Sequence, residues 1–128
     1  MRYLLDTHVW LWAANEPSTL SVKVRKLFEV EEEVFGLSAI SPWEVAKKVE
    51  KGKLPLPCAV LDWVQGALPE TVTLLPLSPE IAVRSTMLKG FHGDPADQII
   101  VATALVHRLT LLTSDTAIRR SRVVPTVW

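Results

Sequence analysis

The chain has little cysteine, no long hydrophobic run and no excess of charge of either sign. Cys58 is the single cysteine, so an intrachain disulfide is excluded, which is typical of proteins in a reducing cytoplasm. No apolar run approaches the length of a membrane-spanning helix, and Asp6 interrupts the first apolar residues too early for a signal peptide. We therefore expect a cytoplasmic protein without a membrane segment.

The absence of net charge also limits how the chain can bind nucleic acid. Lysine and arginine total 14, and aspartate and glutamate total 14. A neutral chain does not attract phosphate through its bulk charge, so any nucleic-acid binding must depend on a local site.

The remaining composition is that of one globular domain. The 128 residues are 48% hydrophobic and contain no repeat, low-complexity stretch or linker, so we predict a single domain over residues 1–128. Short apolar runs predict strands at residues 2–6, 34–38, 72–77, 109–113 and 123–127. Helical spacing or helix-start residues predict helices at residues 8–15, 21–32, 41–51, 58–68, 78–89 and 94–107, and a short helical turn after Asp115.

Strands and helices thus alternate, and most predicted strands are continuously apolar, as in strands buried on both faces. This pattern predicts an α/β fold: a central parallel β-sheet of four to five strands with helices on both sides.

Acidic residues follow the predicted strands. The chain has five aspartates, and four of them, Asp6, Asp94, Asp97 and Asp115, lie where a strand ends or a helix begins. Glu44 lies in the first turn of the helix that follows residues 34–38. In a parallel sheet these positions share the carboxyl edge, where ligands bind, so the carboxylates are expected to converge.

Each acid also has a purely structural interpretation. Asp94 precedes Pro95 and suits a helix N-cap, Ser41 and Glu44 fit a capping box, and Asp6 and Asp115 can cap the helices after them. The conjunction favours a cation site, because crowded carboxylates repel one another unless a cation compensates. Oxygen ligands without cysteine or paired histidine indicate Mg²⁺ or Mn²⁺, the ions used in phosphodiester hydrolysis.

Four segments carry a resemblance to a known family. They are residues 3–8 (YLLDTH), 38–44 (SAISPWE), 93–104 (GDPADQIIVATA) and 111–115 (LLTSD). They resemble the four motifs of PIN-domain nucleases, most closely the VapC toxin ribonucleases of type II toxin–antitoxin pairs, and the similarity runs in order through nearly the whole chain.

The resemblance implies a Mg²⁺- or Mn²⁺-dependent endoribonuclease, a homodimer, and inhibition by a VapB-like antitoxin. The family's catalytic, metal-binding acids correspond to Asp6, Glu44, Asp97 and Asp115. Asp94 matches an additional acidic position, and Thr7 and Thr113 match positions whose hydroxyls support the carboxylates. Many relatives carry arginine where this chain has Gly93 and Gln98.

Several other residues have competing interpretations. His92 lies beside Asp94 and is a candidate substrate contact, and so are Arg119 and Arg120 in the densest basic cluster; solvated surface residues are the alternative for each. The predicted use of Trp10, Trp12, Trp43 and Trp63 is packing in the core or an interface rather than stacking on bases.

Other functions with acidic Mg²⁺ pockets fit less well. A phospho-receiver needs an aspartate at the end of its third strand, and none ends residues 72–77. A haloacid-dehalogenase phosphatase needs a second aspartate two residues after the first, where this chain has His8. Two alternatives stay open: a PIN nuclease of RNA maturation or DNA processing, and a PIN-like module that binds RNA or protein without catalysis.

Overall fold

The computed structural model describes residues 1–128 and consists of five strands and seven α-helices. The strands are β1 (Tyr3–Leu5), β2 (Phe35–Ser38), β3 (Val72–Leu75), β4 (Thr110–Leu112) and β5 (Thr126–Val127). The helices are α1 (Thr7–Asn15), α2 (Val22–Leu27), α3 (Ile40–Glu50), α4 (Val60–Gly66), α5 (Pro79–Ser85), α6 (Pro95–His107) and α7 (Thr116–Ser121). None of the helices has both the length and the apolar character that crossing a membrane requires.

The strands form one parallel sheet in the order β3-β2-β1-β4-β5. The predicted α/β fold with a parallel sheet of four to five strands is therefore confirmed. Strand β1 lies at the centre, with Tyr3 opposite both Phe35 of β2 and Thr110 of β4. The chain leaves β1 for β2 on one side and reaches β4 on the other, so the carboxyl ends of these strands flank a crevice of the kind that binds ligands in such sheets.

The core lies on both faces of the sheet. Leu4 and Leu5 are adjacent in β1 and fully buried, but they belong to different apolar clusters because successive strand residues point to opposite faces. Leu5 packs with residues of α1–α4, such as Val9 and Val45. Leu4 packs with residues of α6 and α7, such as Ile100. Burial on both faces explains why the inner strands β1 and β2 do not alternate apolar with charged residues, whereas the edge strand β3 is partly exposed.

Two predicted helices end at least four residues earlier than expected. The helix predicted for residues 21–32 ends at Leu27, before the run of four glutamates between residues 29 and 33, whose charge is unfavourable at the negative end of the helix dipole. The helix predicted for residues 78–89 ends at Ser85. There the hydroxyls of Ser85 and Thr86 donate to the carbonyls of Ala82 and Val83 and compete with the helical hydrogen bonds.

Candidate active site

Asp6 is a nearly buried carboxylate immediately after β1, with 5% of the residue exposed. Its Oδ1 accepts a hydrogen bond of 2.8 Å from the Thr7 N–H, and its Oδ2 accepts one of 2.6 Å from the Thr113 hydroxyl. Burial raises the pKa of Asp6, while the Thr113 hydrogen bond acts in the opposite direction. Two donors from different strand ends therefore hold the side chain in one orientation.

Thr113 couples two of the predicted acids. Its hydroxyl oxygen, which donates to Asp6, also accepts a hydrogen bond of 3.0 Å from the Asp115 N–H. Asp115 caps α7: its Oδ1 accepts a hydrogen bond of 2.9 Å from the Ile118 N–H. The capping role considered for Asp115 is therefore confirmed. Its second carboxylate oxygen makes no hydrogen bond within the chain and is free for another ligand.

Glu44 belongs to a second hydrogen-bonded chain. The Thr7 hydroxyl donates to Glu44 Oε1 at 2.5 Å and lies 2.8 Å from the Ser41 hydroxyl. Because a threonine hydroxyl carries one hydrogen, Ser41 must be the donor to Thr7. The order of donation is thus from Ser41 to Thr7 to Glu44. Burial raises the pKa of Glu44, the Thr7 hydrogen bond lowers it, and Asp6 and Asp94 raise it further.

The predicted capping box of Ser41 and Glu44 is wrong. Helix α3 begins at Ile40, one residue before the predicted cap, and Ser41 is fully buried inside its first turn. The cap residue, Ala39, already has helical dihedrals, and the Ile40 N–H donates to the Ser38 hydroxyl at 3.2 Å. The Ser41 side chain therefore faces Thr7, and sequence reasoning assigned this residue to a local role that it does not have.

Asp94 and Asp97 have distinct positions at the start of α6. Asp94 is the N-cap and has extended dihedrals. Its Oδ1 accepts a hydrogen bond of 2.8 Å from the Asp97 N–H, so the predicted capping role is confirmed. Asp97 lies in the first turn, where its side chain is partly buried. Burial and then the neighbouring charges of Asp94, Asp6, Glu44 and Asp115 raise the pKa of Asp97 to about 7.

The predicted acids thus influence one another electrostatically across four segments of the chain, which is the convergence that the sheet topology predicts. As the side chains stand, no three histidine, cysteine, aspartate or glutamate groups are close enough to hold one ion together. The donor set is oxygen alone, which suits Mg²⁺ or Mn²⁺. Burial and then repulsion from the neighbouring acids raise the pKa of Asp97, and a cation would relieve the repulsive part. The residues fit such an ion in chemistry, and ligation requires the carboxylates to close around it.

The predicted substrate contacts lie outside this cluster. His92 is exposed in the loop before Asp94. Arg119 and Arg120 lie in the last turn of α7, where they line a cleft of about 500 Å³ with Arg122, and none of the three pairs with a carboxylate. Their role toward a substrate stays a prediction.

Gly93 has a packing reason of its own. A Cβ atom at this position would collide with the ring of Phe91, which is buried beneath the loop. An arginine at this position would therefore require the Phe91 ring to move.

One further contact was not predicted from the sequence. Lys48 lies on α3 one helical turn after Glu44, and its ammonium donates a hydrogen bond of 2.9 Å to His8 Nε2. Partial desolvation and the Lys48 charge lower the pKa of His8, which keeps the imidazole neutral as the acceptor.

Comparison with known proteins gives consistent results. The family described as PIN domain matches residues 3–123. Ribonuclease VapC22 of Mycobacterium tuberculosis is 38% identical over 120 residues, which cover 93% of this chain and 91% of that protein. The DNA-bound VapBC crystal structure from Salmonella typhimurium superposes with a TM-score of 0.76 at 19% identity, covering 99% of this chain and 97% of that one. VapBC2 of Rickettsia felis, bound to a DNA fragment from its promoter, gives a TM-score of 0.74 at 18% identity over 99% and 98%.

Proposed function

The chain belongs to the PIN-domain family, and on that premise we propose that it is an endoribonuclease whose active site is the acidic cluster at the carboxyl edge of the sheet. The catalytic carboxylates are Asp6, Glu44, Asp97 and Asp115. The observation that carries the proposal is the position of Asp97, where burial and then the charges of the neighbouring acids raise its pKa to about 7. Such a like-charge cluster costs stability in a free protein and is typical of a functional site. The similarity to a ribonuclease supports RNA as the substrate.

Nucleases of this family use divalent metal ions, and we propose Mg²⁺ or Mn²⁺ here. Asp6, Glu44, Asp97 and Asp115 would hold the ion, with Asp94 next to it in a secondary role. A bound divalent cation lowers the pKa of water and stabilises charge on the leaving oxygen of a phosphodiester.

The chain's own residues orient the carboxylates. The Thr113 hydroxyl and the Thr7 N–H hold Asp6, and the donation from Ser41 through Thr7 holds Glu44. Hydrogen bonds that fix a metal-binding side chain commonly contribute ten- to a hundredfold to affinity or activity. We therefore assign Thr7, Ser41 and Thr113 as positioning residues.

The similarity to VapBC proteins also suggests the binding partners of this chain. We propose that the chain is the toxin of a VapBC-type pair, inhibited by a VapB-like antitoxin that places an arginine among the carboxylates, because a bidentate guanidinium matches them well. A twofold homodimer is part of this proposal. Leu61, Val83 and Met87 are large apolar residues exposed on the single chain and available to an interface. Light scattering at tens of micromolar should give a dimer mass, and a monomer would contradict the assembly.

Cleavage of labelled RNA tests the function. The protein should cut RNA with Mg²⁺ or Mn²⁺ and be inactive with chelator, and single-stranded DNA of the same sequence serves as the competing substrate. Asp6→Asn, Glu44→Gln, Asp97→Asn and Asp115→Asn should each lose most cleavage while folded, whereas Asp62→Asn, an exposed aspartate on α4, should not. Attack by water leaves 5′-phosphate and 3′-hydroxyl ends. Products with 2′,3′-cyclic phosphate would contradict the proposal.

A further inference from the structure

A cleft of about 330 Å³ opens directly beside the acidic cluster, along α3 and the start of α6. Glu44 and Asp94 belong to both the cleft and the cluster. The rest of its polar lining is basic and consists of Lys47, Lys48, Lys51 and Lys53. A basic surface therefore leads straight to carboxylates proposed to act on a phosphodiester.

The lysines are arranged by the geometry of α3 and its end. Trp43, Lys47 and Lys51 follow one another at intervals of four residues, so they lie on one face of the helix, about 6 Å apart along its axis. After Lys51, Gly52 adopts a left-handed conformation with φ of 69°, and the Lys53 N–H donates to the Lys48 carbonyl at 2.9 Å. This turn folds the chain back and keeps Lys53 beside the helix.

Most of these charges have no acidic partner. The structure contains two ion pairs, Arg2 with Glu33 and Lys47 with Glu50, and both are exposed. Lys48 contacts the imidazole of His8, and Lys51 and Lys53 make no side-chain hydrogen bond. A chain with zero net charge thus presents three ammonium groups that form no ion pair along one cleft.

Trp43 contributes an exposed aromatic surface to the same cleft. It is 56% exposed, whereas Trp10 and Trp63 are buried and pack edge to face. Of the two predicted uses of Trp43, packing in the core is excluded, and packing in an interface stays a prediction. A large aromatic side chain left in solvent next to lysines is the combination that binds single-stranded nucleic acid, because the bases stack on the ring while the lysines contact the phosphates.

We propose that this cleft is the track for single-stranded RNA, with a base stacked on Trp43 and the backbone running along Lys53 and Lys51 toward the carboxylates. The inference deepens the proposed function and rests on it for the identity of the nucleic acid. We propose single-stranded rather than double-stranded RNA because the bases of a duplex are stacked on each other and cannot stack on Trp43. An acidic protein segment is less suited, since its carboxylates offer the Trp43 ring no aromatic partner on which to stack.

Binding measured without metal tests the track separately from catalysis. The anisotropy of a short fluorescein-labelled single-stranded RNA of mixed sequence is followed in chelator across a salt series. Lys51→Gln with Lys53→Gln should weaken binding and lower the salt slope by about 1.4, since each phosphate contact in a single strand contributes about 0.7. The matched control is Lys23→Gln with Lys26→Gln, two exposed lysines of α2 with the same charge change, and it should bind like the wild type.

Variants of Trp43 provide a second binding test that does not change the charge of the protein. Trp43→Leu should weaken single-strand binding about tenfold, and Trp43→Phe should retain most of it, because a phenyl ring still stacks. A duplex of the same sequence should bind more weakly than the single strand and respond little to Trp43→Leu.

The outcomes separate the two proposals. If the two lysine pairs weaken binding equally, or if neither the cleft lysines nor Trp43→Leu has an effect, the track is wrong even when the wild type cleaves RNA. If the cleft variants weaken RNA binding but the wild type cleaves nothing with any divalent ion, the nuclease proposal fails and the track stands. Cleft variants that keep RNA binding but lose a VapB-like antitoxin would mark a protein-binding surface and overturn the track.

Discussion

The hydroxyl of Thr113 donates a 2.6 Å hydrogen bond to Oδ2 of Asp6 across a sequence separation of 107 residues. The contact joins the carboxyl ends of β1 and β4, which are neighbours in the sheet. Since the same hydroxyl accepts from the Asp115 N–H, one side chain positions two segments of the acidic cluster.

Thr113→Val should reduce both stability and activity. The substitution preserves shape at a fully buried position but removes the donor to a buried carboxylate, so the free energy of unfolding should fall by about 1 to 3 kcal/mol. Metal-dependent cleavage should fall roughly ten- to a hundredfold. Urea unfolding and RNA cleavage measure the two effects.

The control for this change is Thr103→Val. Thr103 is equally buried, but its hydroxyl donates to the Ile99 carbonyl within α6 rather than to a carboxylate. Cleavage by Thr103→Val should match the wild type, and Thr113→Ser should restore most activity. Full activity in Thr113→Val would show that Asp6 needs no support from this hydroxyl.

The metal-free protein should become less stable as the pH rises through neutrality. Asp97 has a pKa of about 7 in the folded chain, above its ordinary value of 3.8, so the folded state holds the proton more tightly than the unfolded state. The stabilisation is complete below about pH 4 and is lost as the pH rises through about 7. Melting in chelator should therefore give a lower Tm at pH 8 than at pH 5.5.

Asp97→Asn should flatten this dependence and raise the metal-free Tm at pH 8, because the amide does not repel the other acids. Part of the slope should remain, since the pKa values of Asp6 and Glu44 are raised as well. Asp62→Asn, at an exposed position, should leave the slope unchanged. A Tm in Asp97→Asn that varies with pH as in the wild type would contradict the assignment.

Divalent metal should stabilise the folded protein. An ion that binds the native cluster but not the unfolded chain raises the Tm, and it must displace the proton from Asp97. The increase with Mg²⁺ or Mn²⁺ should thus be larger at pH 8 than at pH 5.5, and it should disappear in Asp97→Asn. A wild type indifferent to metal, with every amide variant less stable, would support helix capping as the sole role of these acids.

Asp94→Ser and Asp97→Ser should differ although the two residues are three positions apart. Serine at position 94 retains an oxygen for the Asp97 N–H and removes the charge, so the fold and much of the activity should persist. Asp97→Ser should keep the fold and lose cleavage. Equal loss of activity in two equally stable variants would make Asp94 a ligand, and normal activity in Asp97→Ser would contradict the four-carboxylate site.

The class of fold could be predicted because its causes are local. Continuous apolar runs such as Tyr3–Leu5 specify strands buried on both faces, and the helices between them require a parallel arrangement. Asp94 could be recognised as a cap because Pro95 restricts its backbone to an extended conformation. The gathering of acids at one edge followed from that topology alone.

Other features depended on residues distant in sequence. Ser41 and Glu44 have the spacing of a capping box, but Thr7 of α1 supplies a hydroxyl between them, and both side chains hydrogen-bond to it instead. Trp43 is a large apolar residue of the kind usually found in a core, yet its side chain lines the cleft. Val45 occupies the buried side of α3 instead. Local spacing offers a side chain several partners, and the packing of helices against the sheet decides which of them comes within hydrogen-bonding distance.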